Sequence, residues 1–230
     1  MNNKKIIKRS RNKFGMTDGA GRSMVEMLGV LAIVGVLSAG ALKGYSAAMF
    51  KHKMNQTIDI TTKMFQRHQE LVEQDLGGNE EDMVWITSDD GTAVQNGLLE
   101  KCDLEDGYKC RLPVGSVYVE LVHDPYDLAT CGVDSPGHYG LFNFYFTDAK
   151  SCTAFASVHW EQMFPTEWWK PRGNIGIFGE GGNTTPTQPY IYNPTEGVTT
   201  YMTTSEMANA CQTACAKGNC HIEFVYRYYC

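Results

Sequence analysis

The sequence predicts an α+β fold, in which a long N-terminal helical spine, its N-terminal half transmembrane, packs on an antiparallel β-sheet head crossed by disulfides. Three observations predict it. Met24 to Leu42 reads MVEMLGVLAIVGVLSAGAL, almost wholly apolar, and an apolar stripe at helical spacing continues beyond it. Three runs, SVYVELV from Ser116, YGLFNFYF from Tyr139 and IEFVYRYY from Ile222, are rich in aromatic and β-branched residues. All eight cysteines fall after residue 101.

At 230 residues and 43% hydrophobic composition the chain has ample apolar material for a folded core, which excludes a disordered polymer. Its net charge of -6 is unevenly spread. Residues 1 to 21 hold six basic groups and one acid, or +5, so the remaining 14 basic and 25 acidic groups carry -11. A body of that sign is a poor partner for nucleic acid.

The basic head of the chain reads as a topological signal. A helix rising about 1.5 Å per residue turns the nineteen residues from Met24 to Leu42 into a rod that nearly matches a hydrocarbon core of about 30 Å. Lysines and arginines ahead of it put residues 1 to 21 in the cytoplasm and everything after Lys43 outside. Glu26 interrupts the apolar run, and a carboxylate near a bilayer centre costs about 2.5 to 3.5 kcal/mol. Such a residue is a functional suspect.

Gly21 is followed by Arg22-Ser23-Met24-Val25-Glu26, after a basic leader and before a long apolar helix. This arrangement resembles the class III signal of type IV prepilins: a basic leader ending in Gly, then Glu at the fifth mature position. Among the glycines at 15, 19 and 21 only Gly21 gives Glu26 that place. The longish leader is similar to the type IVb branch. The resemblance implies cleavage between Gly21 and Arg22 by a prepilin peptidase, N-methylation at Arg22, and polymerisation through the N-terminal helix into an extracellular pilus (fimbrium). It also implies a role for Glu26 in assembly register, opposite the amino terminus of a neighbouring subunit. The implied partners are further copies of the chain, other pilins, the peptidase, an inner-membrane assembly platform and the inner membrane, with the head in the periplasm before assembly. A C-terminal disulfide is implied too, without a pairing. Two departures stand out: Arg22 replaces the usual Phe or Met, and the family's proline within the mature helix is missing. A minor pilin, or a pseudopilin of type II secretion, shares this N-terminus, and a single-pass anchored periplasmic binding domain is the reading from another class.

Beyond Lys43 the pattern becomes amphipathic. Ala47, Phe50, Met54, Ile58, Phe65, Val72 and Leu76 form a stripe, with Thr61 and His68 in its gaps, and Gly77-Gly78 offer a stop. One continuous helix from about 24 to 76 is expected, with His52 and His68 on its rim. The organisation is thus a leader over 1–21, a helix over 22–76 (transmembrane over 22–43, amphipathic over 44–76) and a head over 77–230.

In the head, residues 79 to 115 read as an irregular connection with one short helix around 93 to 101. The strand runs suggest a sheet of three or four strands, and helices are expected at about 149 to 162 and 204 to 217. Thr203 and Glu206 form a capping box for the second. The stretch from Phe164 to Val198, with five prolines and six glycines, reads as a long loop carrying Trp168, Trp169, Tyr190 and Tyr192.

Cys102, Cys110, Cys131, Cys152, Cys211, Cys215, Cys220 and Cys230 form an even set on the exported side, which points to disulfides. The alternative is a zinc site at Cys211, Cys215, Cys220 and His221, whose spacing matches no familiar ligand pair. Cys102 with Cys110 is the one pairing the spacing suggests. Cys211 and Cys215 lie one turn apart on a helix, and Cys220 and Cys230 flank an extended run, so neither is expected to pair internally. No HExxH, GxSxG, GxGxxG or Walker loop is present, so neither catalysis, a cofactor nor a metal is expected.

Overall fold

In the computed structural model the described residues are 24–73, 84–124, 137–163, 174–179, 190–192 and 200–228. The chain divides into two compact units, Met1–Ala48 and Met49–Cys230. Helix α1 runs without a break over Met24–Glu73, through Gly35, Gly40 and Gly44. Among the described residues nothing approaches within 4 Å of where a side chain would stand at these three glycines.

In the second unit, the buried residues of α1 set the packing. Met54, Thr57, Thr61, Met64, Phe65, His68 and Leu71 are all buried, at intervals of three and four. The stripe therefore includes Thr57, Met64 and Leu71, which the sequence reading passed over. His68, expected on the rim, is only 3% exposed and meets the Phe142 ring edge-on at 5.7 Å. His52 is exposed. Thr57 and Thr61 are tolerated in the core because their hydroxyls are engaged: Thr61 donates to Thr57 O at 2.9 Å, and Thr57 Oγ1 accepts from Val114 N at 3.0 Å.

The sheet has eight strands among the described residues, not three or four: β1 (Val84–Thr87), β2 (Leu104–Glu105), β3 (Lys109–Arg111), β4 (Ser116–Asp124), β5 (Gly137–Phe146), β6 (Asn174–Gly179), β7 (Tyr190–Tyr192) and β8 (Cys220–Tyr228). The order is β2-β3-β4-β5-β8-β6-β7, with β1 also on β4, and each pairing is antiparallel. Alternation puts one layer of apolar side chains on a single face. Val119 lies opposite Phe142, Phe142 opposite Phe224, Phe144 opposite Ile222, and Ile177 opposite Ile222 on its other side. All are essentially fully buried.

Phe65 of α1 closes this layer. Its ring stands edge-on to Phe142 at 5.1 Å and to Trp160 at 5.7 Å, and tilted to Phe224 at 5.3 Å. Edge-on aromatic pairs contribute about 0.5 to 1.5 kcal/mol each beyond area burial.

The remaining helices are shorter than expected. Helix α2 covers only Thr92–Gln95, and Gly97 with φ of 74° turns the chain out of it. Helix α3 (Ala149–Ala156) is capped by Asp148, whose carboxylate accepts from Ser151 N at 2.8 Å, and a 3-10 turn over Trp160–Met163 follows. The Tyr201 hydroxyl lies 3.1 Å from Ala156 O and 2.5 Å from Val158 O, supplying a donor where the helix runs out of its own. Helix α4 (Thr204–Ala214) begins with the Thr203–Glu206 capping box and passes into a 3-10 turn at Cys215–Lys217.

Among the described residues three disulfides join Cys102 to Cys110, Cys152 to Cys211 and Cys215 to Cys220. The second ties α3 to α4 across 59 residues, a closure that removes roughly 4 kcal/mol of unfolded-chain freedom. Zinc ligation by Cys211, Cys215 and Cys220 is replaced by these bonds. Cys131 and Cys230 lie outside the described residues, as do Gly77, Gly78, Trp168 and Trp169.

Removing the Phe65 ring leaves a cavity facing Phe142, Phe144, Trp160 and Phe224, so Phe65→Ala is expected to cost about 3 to 5 kcal/mol. Urea unfolding of the full chain, followed by tryptophan fluorescence, checks this. A loss under about 1 kcal/mol would show that α1 does not hold the sheet layer together.

Candidate functional site

From Met24 to Ala48 every residue of α1 is exposed. Met24 is 82% exposed, Val36 74% and Leu42 67%. Side chains of this kind normally account for most of a core. Here they surround a helix whose mean hydropathy over 18 residues is 2.1, none of it buried. By length and composition it is the one helix among the described residues that could cross a membrane. A bilayer interior demands internally satisfied backbone groups, which a continuous helix supplies. Ser46 adds no unmet polar group, since its hydroxyl donates to Leu42 O at 3.0 Å.

Glu26 lies in the first described turn of α1. Its neighbours Val25, Met27 and Leu28 are 75%, 58% and 62% exposed, so the carboxylate is set in an apolar surface. Gly21 and Arg22 lie outside the described residues. The geometry thus provides a lipid-compatible rod with an acid near one end.

A second concentration of chemistry lies on the sheet face turned away from the aromatic layer. Lys109, on β3, is largely buried. Its Nζ lies 3.1 Å from Asp106 Oδ2 and 4.3 Å from the Tyr145 ring centroid. Burial opposes its charge, but the hydrogen bonds to Tyr108 and Asp106 outweigh that and leave the ammonium above its usual range. Tyr118 donates to Glu120 Oε2 at 3.1 Å, and burial first, with the Glu120 charge second, pushes its phenol upward. His221 stacks on Phe178 at 5.2 Å and meets Tyr145 at 5.1 Å. Burial, helped by the Lys109 charge, pulls the His221 imidazole down to about 4. Glu223, two residues on and on the same face, is raised by burial. A cavity of about 290 Å³ opens beside Lys109, Arg111, Tyr145 and Asn219.

None of these groups was singled out from sequence except His221, which was considered as a zinc ligand. The signal was available for Lys109: Asp106-Gly107 is a hairpin dipeptide, and the turn has φ of 54° at Asp106 and 81° at Gly107. That hairpin is what sets Lys109 on the sheet. No protein-family model, curated protein or solved structure matches the chain.

His221 gives the head an acid limb. Its folded pKa is near 4 against about 6.5 unfolded, so between those values the unfolded chain binds the extra proton and stability falls as pH drops. Thermal unfolding of His221→Asn is expected to lose less between pH 6.5 and 4.5 than the parent does. Parallel curves for the two proteins would contradict the assignment.

Proposed function

We propose that the chain is a type IV pilin-like structural subunit, anchored in the inner membrane by α1, cleaved between Gly21 and Arg22 by a prepilin peptidase, and polymerised through the same helix into an extracellular filament. One observation carries the reading: the exposed apolar surface of α1 holds Glu26 five residues after Gly21.

The Glu26 carboxylate, set among Val25, Met27 and Leu28, is costly in lipid, and the cost falls when an opposite charge lies beside it. Cleavage after Gly21 creates a cationic amino terminus at Arg22. In a staggered stack of like helices the amino terminus of one subunit meets Glu26 of the next, and the pair neutralises both charges inside an apolar bundle. Glu26 therefore selects a register; the surrounding side chains, from Met24 to Leu42, supply the bulk of the packing. The role of the head is structural, with α3, α4 and the sheet locked by disulfides suited to an oxidising exterior. The reading requires neither catalysis, a cofactor nor nucleic acid.

Replacing Glu26 tests this. In cells carrying Glu26→Ala, the subunit in the sheared surface fraction is expected to fall at least about tenfold, since unpairing one member of a buried ion pair costs about 3 to 5 kcal/mol. The head should still fold, as read by an unchanged disulfide pattern in the membrane fraction. Glu26→Gln should show the same defect more mildly. A filament yield equal to the parent from Glu26→Ala would contradict the register role.

A further inference from the structure

Two of the disulfides abut. The sulfur atoms of Cys152, Cys215 and Cys220 all lie within 4.8 Å of one another, although Cys152 is bonded to Cys211 and Cys215 to Cys220. They arrive from three elements: Cys152 on α3, Cys215 on the 3-10 turn after α4, and Cys220 at the first residue of β8. Their accessibility is unequal. Cys152, Cys211 and Cys220 are 0%, 0% and 1% exposed, whereas Cys215 is only partly buried.

We propose that these four cysteines form one thiol–disulfide exchange site, in which Cys215 receives an external thiol and the buried Cys152–Cys211 bond is reached only by relay through Cys220. Exchange proceeds by attack of a thiolate on a disulfide sulfur, so access decides which bond reacts first. A small thiol reaches Cys215, forms a mixed disulfide there, and releases Cys220 as a thiolate. Cys220 Sγ is then within reach of Cys152 Sγ, the near atom of the second bond. Its attack forms Cys152–Cys220 and expels Cys211 as a thiolate, which takes up the proton lost by the incoming thiol. A second external thiol attacks the external sulfur of the mixed disulfide, joining the two external thiols as a disulfide and releasing Cys215 as a thiol. Two external thiols are oxidised, two protein disulfides become one, and Cys211 and Cys215 end as thiols. The balance closes.

The consequence is structural. The Cys152–Cys211 bond is the covalent tie between α3 and α4, and the relay moves Cys152 from α4 to β8 without ever leaving it unbonded. A surface event at one partly buried sulfur thereby resets a crosslink in the core.

The test is graded treatment of the full chain, in detergent micelles, with glutathione, quenched by N-ethylmaleimide and mapped without reduction by tandem mass spectrometry. The expected sequence is a glutathione adduct on Cys215, followed by molecules carrying a Cys152–Cys220 bond with Cys211 alkylated. Should no molecule carry a Cys152–Cys220 bond, with Cys152–Cys211 intact in every molecule whose Cys215 holds glutathione, the relay is overturned. In a Cys215→Ser/Cys220→Ser double variant, reduction of Cys152–Cys211 is expected to slow by at least about tenfold, because direct access is closed. An unchanged rate also overturns it. If the double variant does not fold, the mapping on the parent chain decides.

Discussion

An apolar helical surface with no covering is the constraint on which the rest depends. From Met24 to Ala48 the side chains of α1 are exposed among the described residues. At roughly 25 cal/mol per Å² of apolar surface, leaving such a rod in water is among the most unfavourable arrangements a protein can adopt. The helix has two ways out, a bilayer or a bundle of like helices, and both accept a continuous apolar rod. Glu26 separates them. In the proposed function it is a penalty in lipid and an asset wherever a cation is presented at the right height, which is how one residue would bias the helix toward assembly.

The head is held by an aromatic core and by disulfides. Phe65 plugs an aromatic layer drawn from β5 and β8, flanked by Trp160, while Thr57 and Thr61 carry their hydroxyls into the core only because each has a partner. Disulfides complete it. Cys102–Cys110 closes the small β2-β3 hairpin, and Cys152–Cys211 ties α3 to α4. The opposite sheet face holds Lys109, Tyr118, His221 and Glu223, each shifted first by burial or by its immediate partner, so its charge balance is a property of the fold rather than of solvent.

Long periodic features were legible in the sequence, and short ones were not. The apolar run, the stripe containing Phe65, the three strand runs and the capping box at Thr203 all announce themselves by repeated spacing or by a fixed motif. Strand β1 is four residues, VWIT, set among turns, with too little alternation to register. Strand β6, NIGIFG, was hidden by its glycines, and the structure explains them. A side chain at Gly176 would strike the Phe178 ring, and one at Gly179 would come within 2.9 Å of Ala214 O. The glycines are there for close approach, and they mimic a loop. His68 was misplaced because a polar residue on an apolar stripe reads as rim until its packing against Phe142 is seen. Glu26, by contrast, stood out by its spacing from Gly21, while the groups around Lys109 become neighbours only through strand register.

The central claim is that α1 begins, in the working protein, a few residues before Glu26 with a free cationic end. Intact-mass and N-terminal peptide mass spectrometry of the chain recovered from its native membrane tests it most directly. The account predicts a chain starting at Arg22, with one added methyl group on that amino terminus. A chain starting at Met1, or cut near Gly40, would contradict it, because Glu26 would then have no amino terminus to meet.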